Sequence, residues 1–523
     1  MKPLTYRITT LGCRVNHAEA GEIESVLANR GLRRAGPHRA DLEVVHTCSV
    51  THTAAAKSRH AIRQAARRRW DPPDGSRFSN WRSHQATPDS TGWSPTVIVT
   101  GCFVTTNPDD AAGLAGNPDL AIRHAVGDGS TLIERFAGQV DQWLKDQPAP
   151  CSIRTPRPGS STPRGTTPDP ASEGSRKRSE GVIPGPRVLT LPVVGPRVGV
   201  AGRIRAELKI QDGCDAHCTF CIIPRIRSTL RSKTVPDAVD EARQLVDRGH
   251  REIVLTGIFL GAYGHETALR RRQAHRHASP LADLLDAVAR VPGLERLRLS
   301  SLEPGDVTAT LLDAMVANAP VVVPHLHLPL QSGSDAVLKM MNRQYRIGDY
   351  LEMIDLVNQA LTTPDGLPPA ITTDVICGFP AETEADFEQT VEVARRVGFL
   401  HMHVFPFSPR QGTAAARWTD RHVAAGVTKA RVRRLIDLET HPDTGLSVLY
   451  RRRLLDRSVR VILEQPDKAD PTRMQGRCDH YPMVSIPTDR PRGTLVRAVV
   501  SQVTPTRTLG RLAPDRIGLP VLC

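Results

Sequence analysis

Three cysteines on one short loop constrain this chain more than any other stretch: Cys214, Cys218 and Cys221 in Gln211-Asp212-Gly213-Cys214-Asp215-Ala216-His217-Cys218-Thr219-Phe220-Cys221. The C-x3-C-x2-C spacing lets three thiolates hold three corners of a cubane iron–sulfur cluster. Such a [4Fe–4S] cluster keeps one iron open. That iron can chelate a small molecule through an amine and a carboxylate, and S-adenosylmethionine (SAM) offers both. Electron transfer from the reduced cluster then breaks the sulfonium bond and releases a carbon radical. The apolar run Ala206–Ile210 just before the loop reads as a strand, so the thiols fall at a strand-to-loop junction.

Other uses of the three thiols fit less well. Zinc wants a fourth Cys or His to close a tetrahedron, and His217 is wedged between two of the ligands. A disulfide framework belongs to short secreted chains, whereas this one has 523 residues and 10 cysteines. The length allows roughly three or four domains, and 39% hydrophobic residues supply their cores. Met1–Arg7 leads into no apolar signal core, and no run approaches the ~18 apolar residues of a membrane helix. A cytoplasmic location with no membrane partner is therefore expected. The formal charge of +14 favours a polyanionic partner through phosphate contacts.

A second set of thiols emerges from a repeat. Arg7–Gly12 runs into Cys13, Leu42–Thr47 into Cys48, and Thr96–Gly101 into Cys102. Each is a short β-prone run, followed by helix-prone stretches at Ala18–Leu32, Ala54–Arg69 and around Asp109–Leu114. Strand–helix alternation implies a parallel α/β sheet. Ligands bind where the strand carboxyl ends line one edge, so three thiols converge there, and helix N-termini at that edge favour thiolate.

The domain reading follows. An N-terminal parallel α/β domain spans 3–145. A Pro/Gly/Ser-rich stretch, 146–199, reads as a disordered linker. From 200 to 445, strands at Glu252–Gly257, Arg296–Ser300, His325–Leu330, Ile371–Cys377 and Leu400–Phe405 alternate with helices such as Pro236–Arg248 and Leu281–Val291. This suggests a partial (β/α) barrel, whose functional residues belong at strand C-termini. Thr256, Gly257, Ser301, Glu303, Gln331 and Gly378 fall there and are the candidate SAM contacts. Cys377 reads as core. In 450–515, the runs Ser458–Leu463, Met483–Ile486 and Thr494–Val500 suggest a small antiparallel, OB-like β domain. Polar or basic insertions are read at 71–95, 148–196 and 265–277.

With these residues in view, the chain resembles the radical-SAM methylthiotransferases. The likeness runs through Thr10-Leu11-Gly12-Cys13-Arg14-Val15-Asn16, Thr47-Cys48, Thr100-Gly101-Cys102 and the C-x3-C-x2-C loop. It continues through Ser300–Pro304, Leu330–Asp335 and Asp374–Pro380, and ends in a tail similar to the TRAM domain. The resemblance implies SAM and two [4Fe–4S] clusters: a radical-generating one on Cys214, Cys218 and Cys221, and an auxiliary, sulfur-carrying one on Cys13, Cys48 and Cys102. It implies a tRNA anticodon arm as partner, a flavodoxin- or ferredoxin-like electron donor, and a monomer. The opening Leu11–Asn16, Gln211–Gly213 and His403–Ser408 look most like the subgroup that acts on N6-threonylcarbamoyladenosine 37 of tRNA. Isopentenyladenosine 37 and a ribosomal-protein aspartate are the family's other targets. A zinc-containing RNA-binding protein is the reading outside the family. Four positions depart from the family pattern: Arg225, Ser228, His46 and Ala381.

Overall fold

The computed structural model describes residues 3–36, 40–68, 95–116, 120–124, 130–147, 189–192, 203–267 and 279–514. Most of the three insertions therefore lies outside the described residues, as do Cys151 and Cys523.

Strands β1 (Thr5–Thr10), β2 (Arg33–Arg34), β3 (Leu42–Thr47), β4 (Thr96–Gly101) and β5 (Ala121–Ile122) form one parallel sheet in the order β2-β1-β3-β4-β5. Alternation along the strands supplies both faces. Tyr6, Leu42, Val44 and Ile98 pack on helices α1 (Arg14–Asn29) and α5 (Leu132–Lys145) through Ile23, Val26, Phe136 and Val140. Val45, Val97 and Val99 pack on the other side against Ile62 of α2 (His52–Arg67) and Phe103 of α3 (Cys102–Thr106). The helix after β4 is split: Pro108 opens α4 (Pro108–Ala115), where a proline's missing N–H costs nothing.

The central region carries six parallel strands: β6 (Arg205–Asp212), β8 (Glu252–Gly257), β9 (Arg296–Leu299), β10 (His325–His327), β11 (Ala370–Cys377) and β12 (His401–Pro406). A two-residue strand, β7 (Arg231–Ser232), pairs antiparallel with β6. Single bridges, Leu297 to Val322 and Ser301 to His327, join β9 to β10. No pairing among the described residues closes β12 onto β6, so the barrel is incomplete. Strand β10 stops at His327, short of the expected Leu330, because Pro329 lacks the N–H that a ladder needs. Within the expected linker, residues 189–192 are described and lie along β7. Leu189 and Leu191 exchange backbone hydrogen bonds with Ser232 at 2.9 and 3.0 Å, and Leu191 is buried. Cys377 is core, 1% exposed. Ala381 sits at φ +65°, the left-handed region that explains why glycine is common there.

The tail is a closed five-stranded barrel in the order β13 (Ser458–Asp467), β14 (Asp470–Cys478), β15 (Met483–Pro487), β17 (Thr508–Leu512), β16 (Leu495–Val503). The expectation of an all-antiparallel module is corrected in one place: β15 and β17 pair in parallel. Strands β14 and β17 were not expected from sequence, since their polar residues and Gly476 and Gly510 mask the alternation.

This tail plugs the floor of the central barrel. Arg296 and Arg298, alternate residues of β9, are 0% and 1% exposed. Arg298 Nη2 donates to the carbonyl of Cys478 at 2.8 Å and Nη1 to that of Asp479 at 3.1 Å. Arg296 reaches the carbonyl of Arg477 at 2.9 Å. Glu252 pairs with both arginines at 3.1 and 3.0 Å, and Asp479 pairs with Arg296 at 2.8 Å. Burial alone would raise its carboxyl, but Arg298, Arg205 and Arg296 hold it far below the ordinary range. Tyr481 stacks on His325 with ring centroids 4.2 Å apart.

Burial in this plug keeps two histidines neutral: His480 is pushed down to about 4, and His325 well below its ordinary value. A histidine whose folded pKa is lowered takes up its proton more readily in the unfolded chain. Stability is therefore fully present above about pH 6.5 and is lost as pH falls from there toward 4. Thermal melts across this range should show the loss, worth about 3 kcal/mol at most for His480, and His480→Gln should remove that residue's share and leave the part due to His325.

Candidate active site

The C-x3-C-x2-C loop leaves the end of β6 through a turn that only glycine fits. Gly213 has φ +82°, and a Cβ there would collide with the carbonyl of Thr229. The next N–H, that of Cys214, donates to the carbonyl of Arg227 at 2.9 Å. Gln211 braces the turn: Nε2 donates to the carbonyl of Gly213 at 2.7 Å, and Oε1 accepts from the N–H of Phe259 at 2.8 Å. The far side is pinned to residues 340–343. Thr219 bonds the carbonyls of Met340 and Met341 at 2.8 and 3.1 Å, and Asn342 Nδ2 donates to that of His217 at 2.9 Å. Arg343 Nη1 donates to Cys218 Sγ at 3.4 Å and pairs with Glu303 at 2.9 Å. His217, the loop's only candidate for a fourth zinc ligand, is exposed.

The other three thiols meet at the carboxyl edge of the N-terminal sheet. Cys13 caps α1, and Gly12 before it sits at φ +114°, where a Cβ would lie 2.7 Å from Cys48 Cβ and 2.9 Å from its Sγ. Asn16 ties the two strand ends together, donating to the carbonyls of Leu11 at 2.8 Å and Thr47 at 2.9 Å. Cys48 is fixed by Ser58, whose hydroxyl accepts from its N–H at 3.1 Å and donates to its carbonyl at 2.8 Å. Cys102 opens α3, with Sγ 3.9 Å from both His124 Nε2 and Arg227 Nη2.

The expectation that helix N-termini tip these thiols toward thiolate is corrected by burial. Burial raises Cys48, and pushes Cys102 up to about 12 against the pull of Arg227. In the other triad, burial raises Cys214 and Cys218 and pushes Cys221 up to about 12, with the neighbouring thiols adding to it in Cys214 and Cys221. Thiols that stay protonated without a metal lose the proton to solvent when one binds, because its positive charge inverts the local balance. Three clustered thiols with Arg343 beside one of them therefore suit an anionic iron–sulfur cluster.

One arginine connects the triads. Arg227, 4% exposed, donates from Nη1 to Glu19 at 2.7 Å and Asp212 at 2.9 Å, and from Nη2 to Glu19 at 2.9 Å and His124 at 2.9 Å. Glu19 lies on α1, fully buried, and also meets Lys209 Nζ at 3.1 Å and His46 Nε2 at 3.1 Å. Burial would raise Glu19, but Arg227 and Lys209 hold it well below the ordinary carboxylate range. His46, a departure from the family pattern, is thus a member of this network. Burial followed by the charge of Arg227 pushes His124 down to about 3, so it faces Cys102 as neutral imidazole. A second seam runs from the Cys48 loop to the loop after β12: His52 Nε2 lies 3.0 Å from the carbonyl of Pro409, and Arg410 Nε donates to that of Val50 at 3.1 Å.

The residues expected to contact SAM do not form one set. Thr256 is buried at the end of β8, and Gly257 lies against Gln211, where a Cβ would come within 2.9 Å of Oε1. Both thus meet the radical-loop base. Ser301 bridges to His327, and Glu303 reaches Cys218 through Arg343. Gln331, at φ +61°, pairs with β11. Gly378 faces Thr428, lining a separate groove with Pro406, Phe407 and His422. Sequence reasoning missed Arg227, Arg343, Glu19 and His124. Arg227 stands two residues from the exposed Arg225 in one basic run, and nothing in the string separates the buried arginine from the solvated one.

Comparison with known proteins completes the site. The radical SAM superfamily model matches residues 208–394, and the model described as uncharacterized protein family UPF0004 matches 5–122. Threonylcarbamoyladenosine tRNA methylthiotransferase MtaB of Bacillus subtilis is 34% identical over 86% of this chain and 84% of its own. This chain belongs to the radical-SAM methylthiotransferase family. The MtaB of Thermotoga maritima is 31% identical over 88% of this chain and 86% of its own. The tRNA-2-methylthio-N(6)-dimethylallyladenosine synthase of Desulfitobacterium hafniense is 33% identical over 60% of this chain and 66% of its own. Membership makes the protein a radical-SAM enzyme that uses SAM and a [4Fe–4S] cluster, and sets aside the zinc RNA-binding reading.

Arg227 should be the most costly single loss at this junction. Arg227→Met leaves the buried Glu19 and the partly buried Asp212 without their main partner, and about 3–5 kcal/mol of stability should go. Anaerobic denaturant unfolding measures this.

Proposed function

We propose that this enzyme places a methylthio group on C2 of N6-threonylcarbamoyladenosine 37 in tRNA. Cys214, Cys218 and Cys221 hold the radical-generating cluster. Cys13, Cys48 and Cys102 hold a second [4Fe–4S] cluster, the source of the sulfur. The observation that carries this reading is the bond pattern of Arg227, whose carbonyl receives Cys214 N–H while its guanidinium reaches Cys102 Sγ. Two triads braced by one residue suit a reaction that needs a radical and a sulfur at the same carbon. The C2–H of adenine is not acidic, so no side-chain base of the protein could replace the radical that bound SAM would supply.

The protein's own groups do the rest. Arg343 sets positive charge beside Cys218, and Glu303 orients it. Asn16 and Ser58 fix the strand ends that present Cys13 and Cys48. The tail fits a TRAM-like module that grips the anticodon arm, and the +14 charge favours that polyanion. A flavodoxin- or ferredoxin-like protein would supply the electron.

Two relatives named for threonylcarbamoyladenosine are 34% and 31% identical over most of this chain, against 28–30% for dimethylallyladenosine synthases that align as widely, which supports the former target. Nucleoside mass spectrometry of tRNA from a deletion strain tests it. Loss of 2-methylthio-threonylcarbamoyladenosine is expected. Loss of the isopentenyl product instead would move the substrate, and unchanged 2-methylthio nucleosides would move it to a ribosomal protein. Cys48→Ala should still convert SAM to 5′-deoxyadenosine yet transfer no sulfur. Full methylthiolation by that variant would remove the second triad from the mechanism.

A further inference from the structure

The inner face of the central barrel carries a polar cluster that neither triad uses. Alternate residues of β10–β12 turn away from the core: Leu326, Ile371, Val375 and Met402 pack outward, leaving His327, Asp374, His403 and Phe405 on the inner face. His327 Nε2 lies 3.3 Å from Asp374 Oδ2, and its Nδ1 lies 3.0 Å from Thr372 Oγ1. One ligand atom from each of His327, Asp374 and His403 falls within 4.8 Å of the others. The His327 and His403 rings are 5.8 Å apart, and His403 is followed by Phe405 at 6.3 Å and 22°. Below, His325 is covered by Tyr481 and His401 is taken by Glu439 at 2.7 Å. Above, His403 is exposed and Phe405 is 40% exposed. Among the described residues, the His403 ring has no hydrogen-bond partner and the Asp374 carboxylate has only His327.

The cluster lies between the two triads by connection. The carbonyl of His327 accepts from Leu302 N–H at 3.0 Å, next to the Glu303–Arg343–Cys218 chain. Strand β12 leads through Ser408–Arg410 to Val50 and His52, beside Cys48. Whatever reaches Phe405 and His403 is therefore flanked by both sources of chemistry.

We propose that His327, Asp374 and His403 form the pocket that reads a polar, amino-acid-bearing substituent on the target adenine, with Phe405 as the stacking face for the base. This rests on the threonylcarbamoyl reading above. A threonylcarbamoyl group brings N–H and hydroxyl donors for Asp374 and a carboxylate for His403. An isopentenyl group brings none, and would bury these side chains without partners, the condition under which polar sites reject apolar analogues. An exposed aromatic ring is the usual platform for an unstacked base.

The test uses the reconstituted full chain and two anticodon stem-loop RNAs, one carrying threonylcarbamoyladenosine and one isopentenyladenosine. The readout is the ratio of their kcat/KM values, which an inactive fraction of protein does not change. His403→Leu should shift that ratio at least about tenfold toward the isopentenyl RNA. His403→Gln, which keeps a donor, should shift it less and serves where the leucine variant does not fold. A wild-type enzyme that acts on the threonylcarbamoyl RNA with a ratio indifferent to both variants overturns the pocket alone. A wild type that acts only on the isopentenyl RNA overturns the parent reading and the pocket with it. One equivalent of a non-iron metal, lost in His403→Leu, would show a cation site instead and overturn the proposal.

Discussion

The Glu19–Arg227 pair is the contact on which the active site depends. It joins a helix of the first α/β layer to the strand-and-loop that carries the C-x3-C-x2-C triad, and both side chains are almost fully withdrawn from water. Buried pairs of this kind contribute little net stability, because desolvation offsets much of the attraction. Their value is geometric, since an unpaired alternative is so costly that one arrangement survives. Here that arrangement has Lys209, Asp212, His46 and His124 as further partners, so Arg227 cannot slide without unsatisfying several groups at once. Hydrophobic contact around Cys102, Ile222 and Ile226 seals the same junction.

The same logic recurs at the floor of the barrel, with the signs distributed differently. Glu252 supplies one negative charge to Arg205, Arg296 and Arg298, and the surplus positive charge is met by the Asp479 and Glu464 carboxylates and by carbonyls of the tail. A β-strand reading Arg-Leu-Arg-Leu looks half-solvated by pattern. In the folded chain its arginines are the mortar between two domains, because the tail brings acceptors to a place where water would otherwise be needed.

Much of the scaffold was legible in the string. Strands β3, β4 and β8 fall where their β-branched runs and terminal turns put them, and the two cysteine triads stand out because spacing and strand-end placement are local properties. What was not legible depends on distance in the chain. Glu19 and Arg227 are 208 residues apart, and each reads alone as an ordinary surface charge. Arg343 reaches Cys218 across 125 residues. The parallel pairing of β15 with β17 leaves no periodic trace either, since register between remote strands is a tertiary choice.

The plug formed by Cys478–Tyr481 has a consequence for traffic. With Tyr481 laid against His325 beneath the inner face, the barrel is a cup rather than a tunnel. The tail's end is thereby shut, and a ligand of the inner face must enter by the opposite rim or by the unpaired seam between β12 and β6.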